Sequence, residues 1–263
     1  MTATHPAYGQ VRQVTPSAAV LLADNPSRMT LDGTNTWLLR APGASEYVVV
    51  DPGPKDKDHV EAIAAATDGK IALTLITHHH HDHTGGIDRL VKLTGTPVVA
   101  ANSGYLNAWE SPLSDGAVLE AAGLSIRALA TPGHTSDSMS FVLDDAVLTG
   151  DTILGAGTTV LESRSGSLSD YLGSLDRLLE AGSGRALLPA HGTEHADLAP
   201  VARYYVRHRH ERLDQVRAAL RELGENAGAM SVVRKVYADV DKRLWPAAHS
   251  SVQAQLDYLR SHA

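Results

Sequence analysis

Short apolar, β-branched runs alternate with longer three- and four-spaced apolar patterns over roughly the first three quarters of the chain. Val48–Val50 runs into Asp51-Pro52-Gly53-Pro54, a strand that ends in a turn. His59–Ala66 is Ala-rich and helical, and Asp68-Gly69 stops it. Ala72–Thr77 reads as a buried strand. Ile87, Leu90 and Val91 then predict a helix after Gly85-Gly86. Further strands are expected at Pro97–Ala101, Leu124–Leu129, Met139–Leu143, Ala146–Thr149 and Ala186–Pro189. Between the last two, Ser169–Glu180 carries Leu172, Leu175, Leu178 and Leu179 at helical spacing, with Ser169 as the expected N-cap. After Glu194 the strand signals stop. Ala199–Leu223, Ser231–Val240 and Leu244–Arg260 all read as helices. The pattern predicts an α/β domain over 1–194 and a small helical extension over 195–263.

Composition narrows the chemistry. The 263 residues are 43% hydrophobic and 20% charged, enough apolar material for a full core. A net charge of −7 gives no global positive field toward nucleic acid or an anionic membrane. The charge is uneven: residues 195–263 hold 11 basic and 8 acidic side chains, residues 1–194 hold 12 and 22. With no cysteine, disulfides, thiolate ligands and thiol nucleophiles are excluded. No apolar run approaches the roughly 18 residues of a membrane span. Met1–Gln10 lacks the pattern of a secretory signal, so a cytoplasmic protein is expected.

Of the 14 histidines, five fall in Thr77-His78-His79-His80-His81-Asp82-His83-Thr84-Gly85-Gly86, at the end of a predicted buried strand. Residues two apart in an extended segment point the same way, so His78 and His80 can meet one metal ion. Asp82 and His83 turn toward a second. Imidazole and carboxylate without thiolate suit zinc, with manganese or iron as alternatives. Further ligands are expected from other strand ends. His134 in Thr131-Pro132-Gly133-His134, Asp151 after Gly150, and His191 after Ala190 each sit there beside Gly or Pro. A histidine tract by itself could be a metal-sticky surface loop. Several such segments in order argue for a built site. His79 and His81 are expected to face outward, and His5, His59, His195, His249 and His262 to be ordinary.

The order His-x-His-x-Asp-His, Gly-His, Gly-Asp, His-Gly resembles the metallo-β-lactamase superfamily, from about Gly33 to His191. That resemblance implies an αββα sandwich with two metals at one sheet edge. It implies His78, His80 and His134 on the first metal, Asp82, His83 and His191 on the second, and Asp151 bridging both. Asp51 matches the early strand-end aspartate that supports the ligands from behind. The stretch from Gly150 to Val160, Tyr171-Leu172-Gly173-Ser174-Leu175, the surroundings of His208, Arg209 and Arg212, and the tail resemble the β-lactamase-like protein 2 family more closely. Here Ser163-Arg164-Ser165-Gly166-Ser167 stands where that family carries acidic residues. This resemblance implies a winged-helix-like extension and endoribonuclease activity on single-stranded RNA.

A dinuclear zinc site with two carboxylates and a bridging hydroxide retains about one positive charge, which favours an anionic substrate or an oxyanion-like transition state. Metal-bound water with a pKa of about 7 supplies hydroxide at neutral pH, and Asp82 is expected to orient it and handle its proton. The expected reaction is metal-assisted hydrolysis. Single-stranded RNA leads as substrate. A small anionic thioester of the hydroxyacylglutathione type is the close rival, with weak lactam hydrolysis possible beside either. A non-catalytic binding module with a structural metal is the rival of another class. The basic helix carrying Arg203, Arg207, His208, Arg209 and Arg212 is the expected RNA contact, against the simpler reading of a solvated charged face.

Overall fold

The computed structural model describes residues 7–107, 111–162 and 165–262. Ser163 and Arg164, the start of the stretch that departs from the resembled family, lie outside the described residues, as does His5.

Two mixed sheets carry the strands. The first has six in sequence order: β1 (Val11–Gln13), β2 (Ala18–Leu22), β3 (Asn35–Leu39), β4 (Tyr47–Val50), β5 (Ile71–Leu75) and β6 (Val98–Val99). Strands β1 to β4 pair antiparallel, and β4, β5 and β6 run parallel. The second sheet contains β7 (Val118–Ala121), β8 (Leu124–Ala130), β9 (Met139–Val142), β10 (Ala146–Gly150) and β11 (Ala186–Pro189), in the order β11-β10-β9-β8-β7. Only β10 and β11 are parallel in it.

Alternation along the strands builds three layers of contact. Val20, Trp37, Leu39, Val50 and Leu75 face Ile126, Phe141, Leu148 and Leu188 between the sheets. The intervening residues Leu21, Leu38 and Val49 pack against Val60 and Ile63 of α1 (Lys57–Ala66). Leu90 joins them from α3 (Ile87–Thr94), which follows the one-turn α2 (His81–Thr84). On the opposite outer face, Leu129, Val142 and Val147 meet Tyr171, Leu175 and Leu178 of α4 (Leu168–Ala181), together with Ala202 and Tyr205 of α5 (Leu198–Leu223). The result is the expected αββα sandwich. Because both faces of most strands are covered, β2 and β3 are buried throughout and lack the polar alternation that marks a half-exposed strand.

The cap of α4 corrects an expectation. Ser167, not Ser169, is its N-cap, its hydroxyl accepting from the Asp170 amide at 3.2 Å. Helix α5 runs past the sandwich. Its second half places Val216 and Ala219 against Val232 and Val233 of α6 (Ala229–Val236) and Val252 and Leu256 of α7 (Trp245–Ser261). The extension is therefore joined to the sandwich by a continuous helix. No helix among the described residues is long and apolar enough to cross a membrane.

Candidate metal centre

The C-terminal ends of the parallel strands β4, β5, β10 and β11 lie at one edge of the sandwich, where loops leaving an α/β sheet gather ligands. Asp51 follows β4, His78 follows β5, Asp151 follows β10 and His191 follows β11; His134 lies in the turn between β8 and β9. The Thr77 carbonyl accepts from the Met139 amide at 2.8 Å, and Thr34 bridges His191, so the two sheets are tied together at this edge.

Donor atoms gather in two groups: His78, His80, His134 and Asp151 in one, and Asp82, His83 and His191 in the other. In the first, His80 Nδ1 lies 2.9 Å from His78 Nε2 and 3.1 Å from His134 Nε2. In the second, Asp82 Oδ2 is 3.2 Å from His191 Nε2 and 3.6 Å from His83 Nε2. Asp151 reaches both. Its Oδ2 is 3.6 Å from His134 Nε2, while Oδ1 is 3.3 Å from His191 Nε2 and 3.7 Å from His83 Nε2.

The other ring nitrogens are committed to the protein. Thr77 Oγ1 donates to Asp51 Oδ2 at 2.7 Å, so it accepts from His78 Nδ1 at 3.0 Å. His83 Nδ1 donates to Asp51 Oδ2 at 2.8 Å, His134 Nδ1 to the Val160 carbonyl at 2.6 Å, and His191 Nδ1 to the Gly33 carbonyl at 3.0 Å. Each bond fixes a tautomer with Nε2 free to ligate. Asp51 is thus the support expected of it, holding His83 and, through Thr77, His78. Gly33 and Val160 carry no side-chain chemistry, and nothing in the sequence marks their carbonyls as partners.

Two buried atoms in the cluster, His83 Nε2 and Asp151 Oδ1, have no hydrogen-bond partner among the described residues. Such orphans are costly unless something unbonded to the chain satisfies them. The donor set, rich in imidazole and free of thiolate, fits a pair of divalent cations such as zinc, manganese or iron. Among the side chains alone, burial opposes charge on His83, but Asp51 outweighs it and pushes its pKa up to about 10. Burial would raise Asp82, yet its hydrogen bond to His191 and the nearby His83 hold it well below the usual carboxylate range. Burial and the surrounding rings keep His78 neutral.

His81 is exposed, as expected. His79 is half-buried, its Nδ1 2.7 Å from Asp137 Oδ1 and its Nε2 3.7 Å from Glu162 Oε2. Together with His80 it forms a third group that could hold an ion at the mouth of the site. His59 is not the ordinary histidine expected: it is buried, and its Nε2 donates at 2.8 Å to Thr36 Oγ1, which donates to the Asp51 carbonyl at 2.6 Å.

The basic residues of α5 do not form one surface. At about 100° per residue, Arg203 and Arg207 fall on the exposed face, opposite the side that packs on the sandwich. Arg209 is 3% exposed, lies 4.7 Å from the Tyr171 ring and donates to the Thr159 carbonyl. His208 and Arg212 flank it, half-buried. The expectation that all five face a bound strand is corrected for Arg209, which is inside the protein; Arg203 and Arg207 are exposed.

Comparison with known proteins agrees with this arrangement. Residues 29–191 match the metallo-beta-lactamase superfamily and residues 228–262 the beta-lactamase associated winged helix domain. Among the described residues that second segment is helical, without strands. A beta-lactamase-like protein 2 homolog of Drosophila melanogaster is 32% identical over 95% of this chain and 89% of its own length. An atrochrysone carboxyl ACP thioesterase of Aspergillus chevalieri is 37% identical over 86% of this chain and 73% of its own. A beta-lactamase domain protein from Burkholderia ambifaria superposes with a TM-score of 0.83, covering 99% of this chain and 91% of that one at 20% identity. With the ligand segments in order at one edge of an αββα sandwich, the chain belongs to the metallo-beta-lactamase superfamily.

Proposed function

We propose that the chain is a dinuclear-metal hydrolase whose substrate is a thioester. The observation that carries the hydrolase reading is the division of one donor cluster into two groups that share Asp151, each of its oxygens toward a different group. His78, His80 and His134 would hold one zinc ion, and Asp82, His83 and His191 the other. When bound, such ions polarise the scissile carbonyl and lower the pKa of a water molecule. The chain supplies orientation. Asp82, ionised at neutral pH and the more exposed of the two carboxylates in the cluster, offers a fixed acceptor for the attacking water's proton. Asp51 and the carbonyls of Gly33 and Val160 hold the imidazoles so that little reorganisation accompanies reaction.

The ester class is argued from the leaving group and from α5. A thiolate departs near neutral pH with little need of a proton donor, since a thiol's pKa is about 8.5. A polyanion, by contrast, needs an unbroken row of cations, and on α5 the basic run is divided: Arg209 is buried while Arg203 and Arg207 lie on the exposed face. The similarity to a protein named as an acyl carrier thioesterase adds support. Single-stranded RNA, implied by the resemblance to the β-lactamase-like protein 2 family, is the second reading. It is favoured by the shared exposed face of Arg203, Arg207, Arg217 and Arg221. The test is a panel: zinc-loaded protein with an acyl-glutathione thioester, an acyl-pantetheine thioester, a labelled single-stranded RNA and a chromogenic lactam. Thioester turnover is expected to dominate. Cleavage of RNA with neither thioester touched would replace the first reading by the second.

A further inference from the structure

Where α5 and the extension meet the sandwich there is a cavity of about 250 Å³, separate from the metal ligands. Arg28, Thr159, His208, Arg209, Arg212 and Tyr237 are among its lining residues. Among the described residues no carboxylate lines it. Asp241, outside the lining, comes within 3.5 Å of Arg28 and is shared with Arg243. Arg209, almost fully buried, donates to the Thr159 carbonyl and meets Tyr171 through both its ring and its hydroxyl, all neutral partners, and its Nε is unbonded among the described residues. Arg212 lies 4.8 Å from the Tyr237 ring and, among the described residues, donates to the neutral Gln215. A buried guanidinium without a counter-charge is unfavourable, and clustering a second beside it adds repulsion.

We infer that this cavity is a binding pocket for a small oxyanion, a carboxylate or phosphate group, received by the guanidiniums of Arg28 and Arg212 over the fixed charge of Arg209. Guanidinium forks match the geometry of both anions, and the volume suits one such group rather than a whole substrate. The state of His208 agrees: burial pushes its pKa down to about 4, with Arg209 and Arg212 adding to the shift. The pocket also touches the metal centre through one segment. Thr159 Oγ1 donates to the Asp151 carbonyl at 2.7 Å, and the next residue's carbonyl accepts from His134. An anion drawn against Thr158–Val160 therefore bears on the backbone that orients two ligands.

The anion has two possible sources, the charged end of a substrate or a free ion. The experiment follows the His208 ring by NMR in the zinc-loaded full chain, without turnover, so its result does not depend on which ester is cleaved. Three probes are titrated: inorganic phosphate, S-hexylglutathione, and the dimethyl ester of S-hexylglutathione. Phosphate or the free-acid thioether is expected to shift the ring and raise the His208 pKa. The double variant Arg28→Gln/Arg212→Gln should weaken that binding by about tenfold or more, whereas Arg234→Gln, at an exposed position of α6, should leave it unchanged. A response to the free acid but not its ester identifies a substrate's charged end; a response to phosphate alone identifies a free ion. Absence of any shift, or equal binding by the double variant, would overturn the pocket. Exposed Arg28 and half-buried Arg212 are chosen because removing buried Arg209 risks unfolding.

Discussion

Every imidazole in the two donor groups except His80 has its Nδ1 bonded to the protein and its Nε2 turned inward, and that division of labour sets what single substitutions do. Asp82→Asn keeps the shape but removes the charge that faces His191. Turnover should fall by about a hundredfold or more, with a small change in melting temperature and the first donor group still loaded by elemental analysis. Near-normal turnover with metal retained would assign the proton to another residue. His59 gives a separate pH signature. Burial lowers its pKa from 6.5 to about 4, with Asp56 only partly opposing. The unfolded chain thus takes up a proton near pH 6.5 that the folded chain refuses, and stability must fall as pH drops from about 6.5 to about 4. The loss is on the order of 3 kcal/mol at full extent. It is read as the difference in unfolding free energy between the wild type and His59→Gln across that window; parallel curves would refute it.

At the scale of elements, the turn before His134 is wedged against the N-terminal half of α4. Gly133 has φ +133°, and a Cβ there would lie 2.4 Å from the Tyr171 Cα, a backbone atom that has no slack. Its carbonyl also accepts from the Ser167 amide at the helix N-cap. Gly133→Ala must therefore shift the turn, the helix or both. A loss of about 2 kcal/mol or more is expected in denaturant unfolding, with weaker metal retention because His134 rides on the displaced turn. An alanine variant as stable as the parent would mean that the two elements are free to separate. Tyr205 of α5 makes a similar lock from the other side, its buried hydroxyl accepting from the Leu154 amide at 2.9 Å. Positions of this kind explain why α5 follows the sandwich so closely before it enters the extension.

For the whole molecule, the donor groups are drawn from both sheets at one edge, so metal binding is expected to couple to stability. His83 Nε2 and Asp151 Oδ1 have no hydrogen-bond partner among the described residues, a bound cation would satisfy both, and a ligand that binds the folded state alone stabilises it by mass action. Elemental analysis should give close to two ions per chain. Chelation should abolish turnover and lower the melting temperature together, with zinc restoring both. A metal-free preparation with full activity would end the dinuclear reading.

The sequence by itself determined the fold class, the order of the strands that carry the donor residues, and which side chains from His78 to His191 gather at one edge. These are local properties: an apolar run ending in Gly or Pro beside a histidine or aspartate keeps that meaning in any packing. It did not reveal β1, β2, β3 or β7. Three-residue β1 is too short for periodicity, β2 and β3 are buried on both faces, and β7 carries one charge among four residues. Only the tertiary structure decided which atom of each side chain faces the centre. His191 is fixed by a carbonyl 158 positions away, and Asp151 divides its oxygens between groups drawn from both sheets. Only the helix's packing decided what its arginines do. In the chain they form one basic run; on α5, with one side pressed to the sandwich, the same run becomes an exposed stripe and a buried guanidinium at a cavity. Charge is written in the sequence, but the solvent each charge meets is set by burial.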